Sequence, residues 1–246
     1  MTKSLPAKRY WIIGASEGLG RALAEALDAR GAALVLSARS GDKLEALAGQ
    51  LRDAKAVTVD VTDPASVARA AEEAGDFDGF IYCAGAYDPM KATAWDGDAA
   101  RLMVNTNITG GLNALGEVVP RFVEKNTGHI MLIGSLSGFR GLPGAVGYGL
   151  SKAALMHTAE NLRIDLSKTD ILVQRANPGF IKTRLTEKND FKMPQLMEPE
   201  TAAEHVLYAI DKRRFSYSFP KPFSLIFTVG QHLPLSWFQG FFKGLV

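Results

Sequence analysis

The sequence is poor in cysteine, in histidine and in long apolar runs, and each shortage excludes a class of protein. A single cysteine rules out a disulfide within the chain and favours a reducing compartment. Four scattered histidines lack the spacing of metal ligands. No apolar run reaches the ~18 residues that a membrane-spanning helix requires, and none precedes Tyr10 as a secretory signal would. We therefore predict a cytoplasmic protein that binds no metal.

A strong excess of one charge is also missing. The chain has 28 Lys and Arg residues against 26 Asp and Glu residues, and no basic run carries interleaved aromatic residues. Nucleic acid is therefore not an expected partner. With 47% hydrophobic and 22% charged residues, the composition is that of a globular protein with an ample core. A length of 246 residues suits one α/β domain, because such domains often reach ~200–250 residues undivided.

What the chain does contain is a regular alternation of short apolar runs and helix-like segments. The apolar runs predict strands at residues 10–13, 32–37, 56–60, 78–83, 128–134 and 171–176, with an edge strand at 215–219. The segments between them predict helices at residues 21–30, 42–51, 64–74, 98–122 and 147–167. Strands that alternate with helices at short spacing run parallel and are joined by crossovers. We predict a doubly wound parallel sheet, a Rossmann fold with three α/β/α layers.

A glycine-rich turn follows the first predicted strand and opens a helix. Gly14, Gly18 and Gly20 lack side chains, so the backbone there can approach a pyrophosphate. The N-terminus of the following helix would present free N–H groups and a positive dipole to that anion. Taken alone, three glycines also suit an ordinary tight turn. The flanking strand and helix favour the phosphate-binding interpretation.

The end of the second predicted strand carries Ala38, Arg39 and Ser40. In a dinucleotide fold, an Asp or Glu at this point would bind the ribose hydroxyls of NAD. An arginine there instead favours the 2′-phosphate of NADP, with Ser40 as its helper. The alternative is that Arg39 is an ordinary solvated loop cation.

The most informative stretch runs from Ser135 to Lys152 across a glycine-rich loop. Tyr148 and Lys152 are four residues apart, so on a helix they share one face. An ammonium beside a phenol favours the phenolate, and we therefore expect Lys152 to lower the pKa of Tyr148 from its usual ~10. A hydroxyl at Ser135, on the end of a neighbouring strand, would hold a carbonyl oxygen next to that phenol. The pattern predicts a proton-transfer site.

In these motifs the chain resembles the short-chain dehydrogenase/reductase family, in its compact single-domain branch with the Tyr-x-x-x-Lys motif. The matching segments occur in the family's order and spacing and are Gly14-x-x-x-Gly18-x-Gly20, Asp60-Val61, Ala84-Gly85, Asn107-Ile-Thr-Gly110, Ser135, Tyr148-x-x-x-Lys152 and Pro178-Gly179-x-x-x-Thr183. The resemblance implies a catalytic group of Asn107, Ser135, Tyr148 and Lys152, in which Asn107 positions a water that links Lys152 to solvent. It also implies a nicotinamide cofactor, bound in part by Tyr148 and Lys152 themselves. The other implied cofactor-binding residues are Gly14, Ser16, Gly18, Leu19, Gly20, Arg39, Ser40, Asp60, Val61, Ala84, Gly85, Pro178, Gly179, Ile181 and Thr183.

Several polar positions depart from the expected pattern. Glu17 precedes the middle glycine, where many NADP-preferring members of the family carry Lys or Arg, and an inward-pointing acid would repel a 2′-phosphate. Tyr82 and Cys83 replace the family's common pair of asparagines, which is expected to alter how the fourth strand is tied to its neighbour. Asn105 and Asn113 lie inside a predicted helix, where asparagine is unfavourable, and are expected to cap it or to face solvent.

The C-terminal part matches the family least. No acidic residue follows Asp211, whereas nine aromatic residues and three prolines do. We expect residues 186–246 to form the substrate-side segment of a single domain, 1–246, with a fold-back that acts as a lid or a dimer contact. The alternative is an amphipathic segment that makes peripheral contact with a membrane. Met193, Leu196 and Met197 favour an apolar substrate.

These features together predict an NADP(H)-dependent oxidoreductase that transfers a hydride between nicotinamide and a small carbonyl/alcohol substrate. In the reductive direction, Tyr148 would donate a proton to a carbonyl oxygen held by Ser135, while Lys152 would hold the cofactor ribose. We expect a homo-dimer or a homo-tetramer. One alternative is an NAD(H)-linked alcohol or steroid-type dehydrogenase. Another is a non-catalytic NADP(H)-binding sensor, which would be expected to show a broken catalytic set.

Overall fold

The computed structural model describes residues 5–242, whose strands form one seven-stranded sheet. The strands are β1 (Arg9–Ile13), β2 (Ala33–Ala38), β3 (Ala54–Thr58), β4 (Gly79–Tyr82), β5 (Thr127–Ile133), β6 (Asp170–Pro178) and β7 (Ser216–Phe219). Their order across the sheet is β3-β2-β1-β4-β5-β6-β7, and every neighbouring pair is parallel. The predicted doubly wound parallel sheet is therefore confirmed.

Helices cover both faces of this sheet. They are α1 (Gly18–Ala29), α2 (Gly41–Ala48), α3 (Pro64–Ala74), α4 (Gly97–Val104), α5 (Gly110–Lys125), α6 (Val146–Asp165), α7 (Pro199–Asp211), α8 (Phe223–Gly230) and α9 (Leu235–Gly240). Because side chains of a strand alternate between faces, Tyr10 and Ile12 of β1 pack in the core beneath α1, α2 and α7. Trp11 and Ile13 pack in the second core, beneath α3, α5 and α6. The result is the predicted three-layer arrangement.

The predicted helix at residues 98–122 has an interruption that its pattern did not show. Its middle, Asn105–Thr109, forms a π turn between α4 and α5. Asn105 is exposed, as expected. Asn113 neither caps the helix nor faces solvent, because its side-chain amide donates to the carbonyl of Val61 at 2.9 Å. This bond ties α5 to the loop that follows β3.

The C-terminal segment folds back against the sheet. The predicted edge strand is confirmed as β7, which pairs with the end of β6. The helices α8 and α9 then pack over the end of β5, where Leu136, Phe227 and Phe238 form a small buried apolar cluster. Within residues 5–242, none of the helices has the length and apolar character needed to span a bilayer.

The order of the strands also fixes where a ligand can bind. Chain order reverses between β1 and β4, which are neighbours in the sheet although two strands separate them in sequence. In open parallel sheets, the crevice beyond the carboxyl ends of strands at such a reversal is the ligand site. The glycine turn, the Tyr148 helix and the loop after β6 all start from this edge.

Candidate active site

The carboxyl ends of β1, β4, β5 and β6 open into one cavity of about 1370 Å³. Every predicted site residue except Asn107 lines this cavity. The family resemblance assigned these residues from segments spread over most of the chain, and the fold brings them to one place. Among residues 5–242, no three His, Cys, Asp or Glu side chains cluster as a metal site would require.

The glycine turn after β1 is too crowded for side chains. Gly14 has a φ of 93°, and a Cβ there would lie 2.5 Å from the backbone nitrogen of Ala84. A Cβ on Gly20 would lie 2.0 Å from the carbonyl oxygen of Gly14. Glu17, directly before α1, makes no side-chain capping bond, so the first N–H groups of α1 stay available beside the cavity. The turn can therefore bring bare backbone and a helix N-terminus close to an anion.

The predicted proton-transfer group lies between α6 and the end of β5. The Lys152 Nζ lies 5.7 Å from the centre of the Tyr148 ring and donates a hydrogen bond of 2.9 Å to the carbonyl of Ile133. The Ser135 Oγ accepts hydrogen bonds from the N–H and the hydroxyl of Ser137, at 3.2 and 2.9 Å. Ser135 and Lys152 are both buried. The backbone of β5 thus holds the lysine, and a following turn holds the serine.

The electrostatics of this group differ from the expectation for Tyr148. Burial raises the pKa of Tyr148 to about 12, and the neighbouring Ser135 side chain offsets only part of that rise. The predicted net lowering of this pKa is therefore wrong, because the effect of burial dominates. Burial also lowers the pKa of Lys152 itself to about 8. At neutral pH the phenol therefore carries the proton that a proton donor needs.

Asn107 lies behind the cavity, in the π turn, and is fully buried. Its side-chain oxygen accepts from the N–H of Ala86 at 2.7 Å. Its side-chain nitrogen donates to the carbonyl of Ala86 and to the hydroxyl of Ser151, at 2.9 and 2.8 Å. The amide is therefore occupied by protein groups. It joins the loop after β4 to α6.

Tyr82 stands where the family commonly has an asparagine, and it connects the fourth strand to the π turn. Its hydroxyl donates to the carbonyl of Thr106 in the π turn at 2.5 Å. Burial raises its pKa, so the hydroxyl stays protonated and can donate. Cys83 beside it packs against the core under α1 and α2, and burial raises the pKa of its thiol to about 11. The fourth strand is thus tied to the π turn, and the partly buried cysteine packs at the wall of the cavity with its thiol protonated at neutral pH.

Arg39 and Ser40 form the exposed end of the cavity, after β2. Within residues 5–242, the Arg39 guanidinium forms neither a side-chain hydrogen bond nor a salt bridge. Asp60 accepts from the N–H and the hydroxyl of Thr62 at 2.9 and 2.7 Å, and these bonds lower its pKa. The charge of Arg39 also contributes to lowering this pKa, although the two side chains form no hydrogen bond or salt bridge, and the guanidinium can still bind an anion.

Glu17 does not present an uncompensated acid to this end of the cavity. Its carboxylate accepts from Arg184 at 2.8 Å and from Lys43 at 3.1 Å. Burial alone would raise the pKa of Glu17, but the bonds from Arg184 and Lys43 outweigh it and lower the pKa. Sequence reasoning missed both cations, although Arg184 directly follows the last matched residue, Thr183. Glu17 thus pairs with two cations, Lys43 and Arg184, at the wall of the cavity.

The segment after β6 closes over the cavity. Pro178 ends β6, and Gly179, Ile181 and Thr183 follow along the cavity wall. The methyl of Thr183 would lie 2.9 Å from a Cβ on Gly18, so the loop sits directly on the glycine turn.

Tyr87, in the loop after β4, was also missed by sequence reasoning. Its ring meets the Tyr148 ring edge-on at 4.9 Å. Its hydroxyl donates to the side-chain oxygen of Asn189 at 2.6 Å. Beside it, Asp88 forms a salt bridge of 3.1 Å with Lys188. These bonds fasten the segment after β6 across the cavity, and no motif in the sequence marked them.

Five phenylalanines from the chain after β6 line the cavity, and we call them the aromatic wall: Phe180, Phe191, Phe223, Phe227 and Phe242. The ring of Phe180 stacks on Phe223 at 5.8 Å and meets Phe191 edge-on at 5.7 Å. Met193, Leu196 and Met197, which favoured an apolar substrate in the sequence, do not line the cavity, and Met197 lies in the core. The cavity does have an apolar surface, but phenylalanine rings contribute to it and these three residues do not.

Known proteins resemble this chain over most of its length. The family model described as short chain dehydrogenase matches residues 8–193. An uncharacterized oxidoreductase of Myxococcus xanthus is 37% identical over 217 residues, covering 85% of this chain and 86% of that protein. An uncharacterized oxidoreductase of Staphylococcus haemolyticus is 34% identical over 205 residues, covering 81% of this chain and 89% of that protein.

Solved structures agree with these sequence matches. A short-chain dehydrogenase from Sphingobium yanoikuyae, in complex with NADPH, superposes with a TM-score of 0.80 at 28% identity, covering 96% of this chain and 94% of that one. A short-chain dehydrogenase from Streptomyces avermitilis gives a TM-score of 0.81 at 25% identity, covering 93% of both chains. The chain belongs to the short-chain dehydrogenase/reductase family of oxidoreductases.

Proposed function

We propose that the protein is an NADP(H)-dependent oxidoreductase that reduces the carbonyl group of a small apolar substrate, or oxidises the corresponding alcohol. One observation supports this function above all. Ser135, Tyr148 and Lys152 line the same cavity as the glycine turn, so a proton donor and an anion-binding backbone face one ligand space. We also propose that residues 186–246 are the substrate-side segment of one domain, 1–246, because Phe223, Phe227 and Phe242 line that cavity.

The residues present fit a dinucleotide cofactor. The crowded glycines Gly14 and Gly20 leave bare backbone at the cavity, and the start of α1 leaves N–H groups for a pyrophosphate. Asp60 and Val61 would border the adenine, and Ala84 and Gly85 the ribose on the nicotinamide side. The remaining proposed contacts come from Ser16, Leu19, Pro178, Gly179, Ile181 and Thr183. When bound, such a cofactor supplies or accepts the hydride.

In the proposed reaction, residues of this chain donate the proton and position the groups that receive it. Tyr148 keeps its proton at neutral pH, because burial raises its pKa to about 12, and would donate it to the substrate carbonyl oxygen. Ser135 would hold that oxygen by a hydrogen bond. Lys152 is fixed by the Ile133 carbonyl and would hold ribose hydroxyls of the cofactor. Asn107 holds the loop after β4 against α6, and we assign its catalytic role to the main chain near Lys152.

The preference for NADP(H) rests on the charges around Arg39. Arg39 has a free guanidinium at the adenosine end, and Ser40 offers a hydroxyl beside it. Lys43 and Arg184 compensate the acid at Glu17, which removes the repulsion that its position would otherwise cause. The relative from Sphingobium yanoikuyae, solved with NADPH, supports the same preference.

The test of the reaction is a panel of apolar ketones and aldehydes of increasing size, assayed by loss of NADPH or NADH absorbance. We expect turnover of at least one class of carbonyl compound with NADPH. Tight NADPH binding with no turnover of any ketone, aldehyde or alcohol would instead identify a sensor. Turnover with NADH in preference to NADPH would identify the NAD(H)-linked alcohol or steroid-type dehydrogenase.

The cofactor preference is tested by Arg39→Asp. Loss of a charge-assisted bond to phosphate is worth ~1.5–3 kcal/mol, so the ratio of NADPH to NADH affinity should fall roughly 10- to 100-fold. The matched control is Arg69→Asp, because Arg69 is an exposed arginine that does not line the cavity. An unchanged ratio in Arg39→Asp would show that Arg39 is only a solvated cation.

We propose a homo-dimer or a homo-tetramer as well. Outside the cavity, α4, α5 and α6 expose Leu102, Leu112 and Leu150, which suits helix packing between copies. Light scattering of the purified chain gives the mass that tests this assembly. The cytoplasmic location stays a prediction from the sequence.

A further inference from the structure

The helix α8 is apolar on both its buried and its exposed sides. It contains no charged residue, and its inner residues Ser224 and Phe227 are buried against the protein. Its outer residues Leu225, Ile226 and Val229 are 45%, 47% and 57% exposed. A helix without a polar face normally lies in a protein interior or in lipid. We therefore expect the exposed apolar side of α8 to contact something other than the described part of the chain.

The helix α9 repeats this arrangement. Its buried Phe238 packs against Phe227 of α8 at 6.3 Å between ring centres. Its outer residues Leu235 and Trp237 are 49% and 67% exposed, and Phe241 just beyond it is 71% exposed. The two helices are thus joined through their inner rings and leave aliphatic and large aromatic side chains outside. We call these six outer residues the tail surface.

The charge of this segment is of one sign. After Asp211 the sequence contains no carboxylate side chain, while Lys221 lies two residues before α8 and Lys243 follows in the part of the chain outside the described residues. Aromatic rings and aliphatic side chains flanked by cations suit the interface of a bilayer that carries anionic lipids. A two-fold contact between copies would instead bring the segment's cations towards each other without a carboxylate of its own to pair with them.

We propose that the tail surface docks the protein on anionic membranes as a peripheral contact. Docking itself does not depend on the proposed reaction. It has a consequence for that reaction, because Phe223 and Phe227 of α8 belong to the aromatic wall. The same helix would then touch lipid on one side and the substrate cavity on the other. This consequence, which rests on the proposed function, is that an apolar carbonyl compound dissolved in the membrane reaches the cavity directly.

The test uses the full chain and vesicles of phosphatidylcholine, with and without phosphatidylglycerol, in a flotation gradient. We expect the protein to float with the phosphatidylglycerol vesicles and to be released by high salt, since screening weakens the attraction of the cations. Lipids brominated in their acyl chains should quench the fluorescence of Trp237. A protein that stays at the bottom of the gradient with both vesicles overturns the proposal.

Two tryptophan variants make the test specific. Trp237→Ser should weaken vesicle binding on the order of tenfold, because a large ring no longer inserts. Trp95→Ser is the matched control, since Trp95 is 62% exposed but lies in the loop before α4, and this variant should bind and be quenched like the unchanged protein. Equal binding by both variants would overturn the proposal.

A third variant separates the membrane from a second copy of the chain. Leu225→Ser with Val229→Ser alters only outer residues of α8 and should reduce flotation while leaving the mass in solution unchanged. If the mass falls by half and no vesicle binding is seen in any variant, the tail surface is an interface between copies. Flotation without any carbonyl turnover would support docking and count only against the proposed reaction.

Discussion

The two sides of the cavity are built in opposite ways. On the side of the sheet, polar groups are held by the backbone: Asn107 by Ala86, and Lys152 by the carbonyl of Ile133. On the other side, the aromatic wall is held by contacts between rings, such as Phe180 on Phe223. Hydrogen bonds fix a group in distance and direction, whereas apolar contact is largely non-directional. Under the proposed function, the first side would align the reacting atoms, and the second would offer apolar surface to the substrate.

The two sides of the cavity also differ in how far the family match covers them. The match covers residues 8–193, which contain the whole glycine turn and the Tyr148 helix. Three rings of the aromatic wall, Phe223, Phe227 and Phe242, lie beyond it. Under the proposed function, the residues that handle the proton lie within the matched part of the chain, and three rings of the proposed substrate side lie beyond it.

The largest effect on activity is expected from removing the proposed proton donor, Tyr148, on the side of the cavity formed by the sheet. Tyr148→Phe keeps the ring and removes the hydroxyl, so kcat for carbonyl reduction should fall ~10²–10⁴-fold while NADPH binding is retained. Stopped-flow single-turnover rates and the NADPH Kd measure the two quantities separately.

The matched control for Tyr148→Phe is Tyr87→Phe. Tyr87 lies against the Tyr148 ring, and among residues 5–242 its hydroxyl forms a hydrogen bond with Asn189 alone. The control removes one loop contact and should change kcat by less than about tenfold. If both variants lose activity equally, the hydroxyl of Tyr148 is not the proton donor.

The sheet side could be predicted from the sequence because its groups occur at fixed spacings. Tyr148 and Lys152 are four positions apart and share one helix face, and Gly14, Gly18 and Gly20 follow a strand in a turn where added side chains would clash. The register of parallel strands then brings these segments to one edge.

The remaining features of the site could not be predicted from the spacing of residues. The pKa of Tyr148 depends on burial, and burial depends on loops that no motif describes. The salt bridge between Glu17 and Arg184 joins residues that are 167 positions apart. The rings of the aromatic wall were visible as composition, but their meeting at the cavity depends on how α8 folds back. Met193 and Leu196 do not line the cavity, because apolar composition does not show where in the fold each side chain lies.

The next effect is expected from the aromatic wall. Phe223→Ala removes a stacked ring from the cavity, so KM for an apolar substrate should rise roughly tenfold, with kcat changed less than about threefold. The control is Phe241→Ala, assayed without lipid, since Phe241 is exposed and does not line the cavity. A fall in kcat without a change in KM would contradict the division between the two sides.

The pH dependence sharpens the role of Lys152. Burial lowers its pKa to about 8, so its ammonium is charged below that pH and neutral above it. Tyr148, with a pKa of about 12, stays protonated throughout this range. If the ammonium holds the cofactor ribose, the NADPH affinity should fall roughly fivefold as pH rises through about 8, for the loss of about 1 kcal/mol of hydrogen bonding. Fluorescence titration at several pH values measures it, and Lys152→Met should abolish the dependence.

The smallest effect is expected at Glu17, where the sheet side meets the segment after β6. The carboxylate is already compensated by Lys43 and Arg184, so Glu17→Gln should change the ratio of NADPH to NADH affinity by less than about threefold, as for other exposed ion pairs. Glu25→Gln is the control, because Glu25 is paired with Arg21 away from the cavity. An acid that faced a 2′-phosphate unpaired would behave differently, and its removal would strengthen NADPH binding tenfold or more. A marked loss of NADPH affinity in Glu17→Gln would mean that the acid is needed to hold Lys43 and Arg184 in place. Such a loss would show that Lys43 and Arg184 do not act independently at this end of the cavity but are positioned by Glu17.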